Sequence, residues 1–120
     1  MVEKSAKTGV IYIGGGVPKN FIQQTEVIAE LIGDYSGGHS YAIQYTTDAP
    51  HWGGLSGCTF EEAVSWGKVK KEASMVQVFS DATITVPLVV QALRESGYQR
   101  KSVPVFDWKE EGLKLRYEKR

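Results

Sequence analysis

The period of the apolar residues changes along the chain, and each change marks an element. Gly9, Val10, Ile11, Tyr12 and Ile13 form a short continuous apolar run, the pattern of a strand buried in a parallel sheet. Gly14-Gly15-Gly16 stops it. Over residues 18–32, Phe21, Ile22, Ile28, Leu31 and Ile32 recur at helical spacing with Gln23, Gln24, Glu26 and Glu30 on the other side, which predicts an amphipathic helix ending at Gly33. A second strand fits residues 40–46, followed by a polar, Gly-rich loop over 47–58. Thr59-Phe60-Glu61-Glu62 has the form of a capping box, in which Glu62 reaches back to the Thr59 amide, and a short helix through Ala63, Val64 and Trp66 should follow. Residues 75–79 read as a third strand. Residues 81–95 read as a third helix, with Val86, Val89, Val90 and Leu93 inward and Pro87 tolerated only in the first turn. Residues 103–108 and 113–117, around Lys109-Glu110-Glu111-Gly112, suggest a C-terminal hairpin, because Leu113, Leu115 and Tyr117 alternate with charges.

Strand, helix, strand, helix, strand, helix is the order of an α/β layer with parallel strands and right-handed crossovers. The expected fold is therefore a Rossmann-like, mostly parallel sheet flanked by helices, in a single α/β domain over residues 1–120. Ligands of such sheets gather beyond the carboxyl ends of the strands. Here those ends are Gly14–Gly16, Thr47 and Asp48, and Ser80 and Asp81.

Composition narrows the classes. The chain has 120 residues, 42% hydrophobic and 23% charged, enough for a core. Fourteen Lys and Arg balance fourteen Asp and Glu, which argues against a nucleic-acid binder, since phosphate recognition needs a basic surplus or stripe. No apolar run approaches the roughly 20 residues that span a bilayer. The single Cys58 cannot form an internal disulfide, and no Cys/His cluster has zinc spacing. The expectation is a soluble, cytoplasmic, metal-free domain.

Several residues carry candidate chemistry. Gly14-Gly15-Gly16 leaves backbone N–H groups open to an anion at a helix start, or simply makes a tight turn. Asp81 either caps the third helix or offers a carboxylate to ribose hydroxyls. His51 and Cys58 flank the Gly-rich loop, and nothing in the sequence makes them meet. Lys68, in Ser65-Trp66-Gly67-Lys68, is the most informative residue. A lysine becomes a nucleophile toward carbonyls and imines when desolvation favours its neutral amine. Trp66 offers an apolar wall whose ring face can hold an alkylammonium, and Glu62, one turn earlier, can bind a second amine. The plainer alternative leaves Lys68 solvated beside Lys70 and Lys71, Glu62 as a cap only and Trp66 in the core.

The segment Glu62-Ala63-Val64-Ser65-Trp66-Gly67-Lys68 closely resembles the active-site motif of the deoxyhypusine synthase family. Gly14-Gly15-Gly16-Val17-Pro18-Lys19 and Phe79-Ser80-Asp81-Ala82 fall in the family's order and approximate spacing. The resemblance covers about residues 5–95, is similar to the C-terminal part of the catalytic domain, and in the loop His51-Trp52-Gly53-Gly54-Leu55 looks like the bacterial branch. It implies a transferase that uses NAD to oxidise spermidine and carries the aminobutyl group on a lysine, here Lys68. The acceptor is a protein lysine on a translation factor or a free amine. It also implies Glu62 and Trp66 as polyamine-site residues, and Gly15, Thr47, Asp48, Asp81 and Ala82 on the cofactor side. Asn20 stands where the eukaryotic enzymes have a polyamine-site histidine, and Leu55 where they have an acidic residue, within the substrate-side loop Gly53-Gly54-Leu55. Asn cannot take a proton near neutral pH and Leu cannot hold an ammonium. The family's N-terminal half is not in these residues, so the expectation is a partner chain supplying it or a tight homo-oligomer, since a sheet cut there exposes an edge and an apolar face. The competing expectation is a non-catalytic subunit or remnant that stabilises a related synthase. A third is a dinucleotide-binding module without transfer chemistry.

Overall fold

In a computed structural model, residues 2, 5–33, 37–49, 51, 59–109 and 112–119 are described. The elements run β1 (Gly9–Ile13), α1 (Gly16–Ile32), β2 (His39–Thr46), α2 (Phe60–Ser65), β3 (Val69–Phe79), α3 (Ala82–Glu95), β4 (Ser102–Lys109) and β5 (Gly112–Lys119). Strands β1, β2 and β3 form a parallel sheet in that order, and β4 and β5 form a separate antiparallel hairpin. The register aligns Ile13 with Tyr45 and Thr46 with Phe79, so the three carboxyl ends finish level. The Gly14 amide extends the pairing by donating to the Tyr45 carbonyl at 2.9 Å. The α/β layer and the hairpin thus agree with the periodicity.

The core beneath the helices is small. Val10, Tyr12, Ala42 and Phe60 form it, with Met75 packed alongside and the Tyr12 and Phe60 rings 6.4 Å apart. Thr59 caps α2 as its sequence demands: its hydroxyl accepts from the Glu62 amide and the Glu62 carboxylate accepts from the Thr59 amide. Asp81 caps α3 through the Thr83 amide at 2.8 Å.

Several sequence expectations need correction. Helix α1 does not turn its apolar side to the sheet: it buries Gly16, Lys19, Gln23, Glu26 and Ala29, and leaves Phe21, Ile22, Ile28, Leu31 and Ile32 exposed. The polar face can be buried because each long side chain finds a partner underneath. Lys19 meets Gln44, Gln23 meets the Tyr12 hydroxyl, and Glu26 meets Thr8 and His39. Helix α3 has no fully buried residue; Val86 is half-buried, and Val89, Val90 and Leu93, expected inward, are exposed. Pro87 lies at the sixth position of α3, in its second turn rather than its first. Strand β3 also begins six residues earlier than expected, at Val69, through the charged stretch Lys70-Lys71-Glu72. Charges suit a strand at the sheet's edge, where side chains reach water, and the register with β2 breaks between His39 and Tyr41 to admit the extra residues.

Candidate functional site

The stretch Trp66-Gly67-Lys68 is the C-terminal stop of α2. Gly67 adopts φ +69, the Gly67 amide donates to the Val64 carbonyl at 3.0 Å, and the Lys68 amide donates to the Ala63 carbonyl at 2.9 Å. These paired bonds satisfy the last helical carbonyls and require a left-handed residue at the middle position, which is why a glycine separates the tryptophan from the lysine. The turn sends Trp66 outward, 68% exposed, and Lys68 inward, 6% exposed.

Lys68 therefore enters the amino end of β3 with its side chain directed at α1. Its Nζ lies 3.5 Å from Asn20 Oδ1, to which it donates, and 5.6 Å from the centroid of the Trp66 ring. Asn20, 48 positions away in the chain, and Trp66, two positions away, thus meet around Lys68 Nζ. Glu62 is exposed one turn before Trp66, with its Oε2 accepting from the Thr59 amide. Gly53, Gly54 and Leu55 lie outside the described residues, as does Cys58; His51 is exposed.

The residues expected on the cofactor side form a second group, along the level carboxyl ends of β1, β2 and β3. Gly15 is the N-cap of α1, and no side chain caps the helix there. A Cβ built on Gly14 would meet no described atom within 4 Å. Thr47 and Asp48 are exposed after β2, the Asp48 amide donating to Thr46 Oγ1 at 3.1 Å. Asp81 is exposed and Ala82 half-buried after β3. The Thr83 hydroxyl and amide hold the Asp81 carboxyl below the usual carboxylate range. A glycine turn leading into a helix start, with exposed carboxylates at the neighbouring strand ends, is of the residue types that suit the diphosphate and hydroxyls of a dinucleotide. The two groups do not coincide: from His39 to Thr46, β2 spans roughly 23 Å at the usual rise per residue, and Lys68 recovers part of that length by pointing to the second turn of α1.

The sequence reading missed the polar floor of the site. Lys19 is fully buried, donates to Gln44 Oε1 at 3.1 Å and sits 4.9 Å from the centre of the Phe60 ring. Gln44, also fully buried, accepts in addition from Gln77 and donates to the Gly14 carbonyl, linking the glycine turn to the middle of the sheet. Lys19, Gln23 and Glu26, spaced four and three residues apart, were the available signal: a polar stripe at helical period is as regular as an apolar one. Among the described residues no group of three or more His, Cys, Asp or Glu could hold a metal ion. No helix among them is long and apolar enough to cross a membrane.

A parallel α/β layer with a buried, aromatic-flanked lysine on one side and an uncapped helix start on the other defines the class of protein. The family profile of deoxyhypusine synthase matches residues 1–93, and the chain belongs to that family. It is 64% identical over 119 residues to a probable deoxyhypusine synthase 2 of Methanosarcina acetivorans, covering 98% of this chain and 34% of the relative. It is 60% identical over 107 residues to a probable deoxyhypusine synthase 2 of Archaeoglobus fulgidus, covering 89% and 35%. A deoxyhypusine synthase-like protein of Nostoc punctiforme is 38% identical over 111 residues, covering 90% and 28%. The bacterial resemblance is thus present, at lower identity than these archaeal ones. The chain spans about a third of the length of these relatives.

Proposed function

We propose that this chain is the C-terminal, lysine-bearing portion of an NAD-dependent aminobutyl transferase acting on spermidine, with Lys68 as the covalent carrier. The observation that supports it most directly is the Lys68 amine, withdrawn from solvent beside an exposed indole and held by a neutral amide oxygen. Gly15, Thr47, Asp48, Asp81 and Ala82 would hold NAD, which when bound would supply reversible hydride acceptance for spermidine oxidation and for reduction of the product imine. The remaining steps belong to the protein. After passing a proton to substrate or solvent, Lys68 Nζ adds to the C=N carbon of the dehydrogenated polyamine, and the C–N bond to the diaminopropane portion breaks, leaving the aminobutylidene group on Nζ. The acceptor amine, a protein lysine or a free amine, then adds to the same carbon and releases Lys68.

Asn20 orients Nζ as a hydrogen-bond acceptor and cannot itself take the proton, so the proton must leave through substrate or solvent. Trp66, exposed on the outer side of Lys68, packs against the polyamine methylenes, and the Glu62 carboxylate, shared with the helix cap, draws the terminal ammonium. Gly15, Thr47, Asp48, Asp81 and Ala82 line the edge where NAD would lie.

The exposed stripe of α1, with Phe21, Leu31 and Ile32 each at least 74% exposed, and the exposed Ile11, Ile13, Tyr41 and Val76 of the sheet support a further chain or a second copy covering these surfaces. In that reading the active unit is an oligomer, or a complex with a chain supplying the remaining two-thirds. Borohydride reduction of the native assembly with labelled spermidine and NAD should place label on Lys68. Equal labelling in Lys68→Ala would reject the carrier role. Native mass measurement of the same assembly decides between one chain type and two.

A further inference from the structure

Lys68 is gripped from its backbone side by a segment that plays no part in the reaction just described. Gly38 has φ +59, a region that residues with a Cβ enter at a cost. A Cβ placed there would lie 2.7 Å from the Gly67 carbonyl oxygen, and 2.8 and 2.9 Å from the amide nitrogen and carbonyl carbon of Val69. The peptide groups on either side of Lys68 therefore close directly onto the bare Cα of Gly38. The next residue completes the hold, since the His39 amide donates to the Lys68 carbonyl at 3.1 Å.

The His39 ring anchors this segment. It is 4% exposed, with Nδ1 2.8 Å from Glu26 Oε1 and 2.9 Å from Thr8 Oγ1, while the Thr8 hydroxyl donates to the same Glu26 oxygen at 3.1 Å. Glu26 lies on α1, the helix that also carries Asn20. One helix thus restrains Lys68 at both ends: Asn20 at the amine, and Glu26, through His39, at the main chain.

We propose that Gly38 and His39 are positioning residues for Lys68, fixing its backbone against α1 so that its amine stays withdrawn from solvent and beside Asn20. The inference rests on reading Lys68 as the covalent carrier for its consequence in turnover, and on the geometry alone for its consequence in accessibility. Displacement of a reacting group by about 1 Å can lower a rate by about a hundredfold without weakening substrate binding.

The test uses the native assembly with Gly38→Ala, His39→Leu and His39→Gln, and two readouts. One is acetylation of Lys68 by an amine-reactive ester relative to the exposed Lys101, followed by peptide mapping. The other is the rate of borohydride-trapped adduct as a function of spermidine concentration. Gly38→Ala and His39→Leu should each raise the Lys68-to-Lys101 labelling ratio by about tenfold, as local opening becomes easier. They should lower the maximal trapping rate while half-saturating spermidine stays within about twofold. His39→Gln, which can still donate to Glu26, should restore most of what His39→Leu loses. Wild-type values of both readouts in folded Gly38→Ala and His39→Leu would overturn the proposal, as would an effect confined to half-saturation. Equal losses in His39→Gln and His39→Leu would overturn the role of the ring's hydrogen bond. If Gly38→Ala does not fold, the two His39 variants carry the decision. Should the wild type form no Lys68 adduct, the carrier reading fails, and the acetylation ratios still decide whether this segment positions the lysine.

Discussion

Gly67 offers a sharp test of why the lysine points inward, because its environment separates backbone strain from crowding. At φ +69 it ends α2 and lets the next residue turn under the helix. An alanine Cβ at this position would meet only Glu30 Oε2, at 3.4 Å, the end of a flexible and exposed side chain. The penalty of Gly67→Ala is therefore almost wholly that of the left-handed backbone, about 1–2 kcal/mol. Restriction of the unfolded chain by the added methyl works the other way by about 0.4–1 kcal/mol. The net expectation is a loss of about 1 kcal/mol. Gly67→Asn should lose less, because asparagine visits this region more readily. Gly67→Val should lose more, because a β-branched residue there is strongly disfavoured. Urea denaturation of the native assembly, followed by circular dichroism with the slopes compared, measures the series, and Lys68 acetylation measured in parallel should rise in the same order. Equal stability of the valine variant and wild type, or alanine outperforming asparagine, would refute the claim that a left-handed residue holds this turn.

The remaining predictions address the cap, the core and the buried imidazole. Thr59→Ala should destabilise by about 1 kcal/mol through loss of the α2 cap, read from the same urea midpoints. Glu62→Gln should keep that stability, since glutamine also completes a capping box, yet raise the spermidine concentration needed for trapping; unchanged half-saturation would remove Glu62 from the polyamine site. Phe60→Ala should cost about 3–5 kcal/mol, because the ring fills the small core against Tyr12 and underlies Lys19, and a loss under about 1 kcal/mol would show that this cluster is not the core. Burial holds the His39 imidazole below the ordinary histidine value of 6.5, with Glu26 pulling the other way. The unfolded chain then binds a proton that the folded chain refuses, so this contribution is complete above pH 6.5 and is lost as pH falls from there toward the folded-state value. Urea midpoints should decline over that window in wild type and flatten in His39→Gln, and an equal decline in both would refute the assignment.

Much of the fold was legible because its signals are local. The Thr59 box, the Asp81 cap and the alternation of Leu113, Leu115 and Tyr117 each reflect how a short stretch satisfies its own backbone and shows one face to water, whereas the continuous apolar run Gly9–Ile13 gave the strand but not its burial, since Ile11 and Ile13 are exposed. The site was legible in part for the same reason: Trp66 and Lys68 stand two residues apart in one short stretch beyond the capped helix start. Helix α1 was misread because periodicity reveals that a helix has two faces without saying which one these residues cover. Phe21, Leu31 and Ile32 looked like core and are exposed, whereas Gln23 and Glu26 looked solvated and are buried, with Lys19 beside them.

By itself the sequence determined the order of elements, the capped start and glycine stop of α2, and a lysine placed directly after that stop. Only the tertiary structure decided that Asn20, 48 positions away, would receive the Lys68 amine, and that Lys19 would lie over Phe60 and donate to Gln44. It alone tied the lysine's main chain to α1 through His39. The reason is the desolvation of polar groups: a buried ammonium, amide or imidazole is tolerable only where a partner waits, and such partners are brought together by the packing of a helix on a sheet, which no local pattern records.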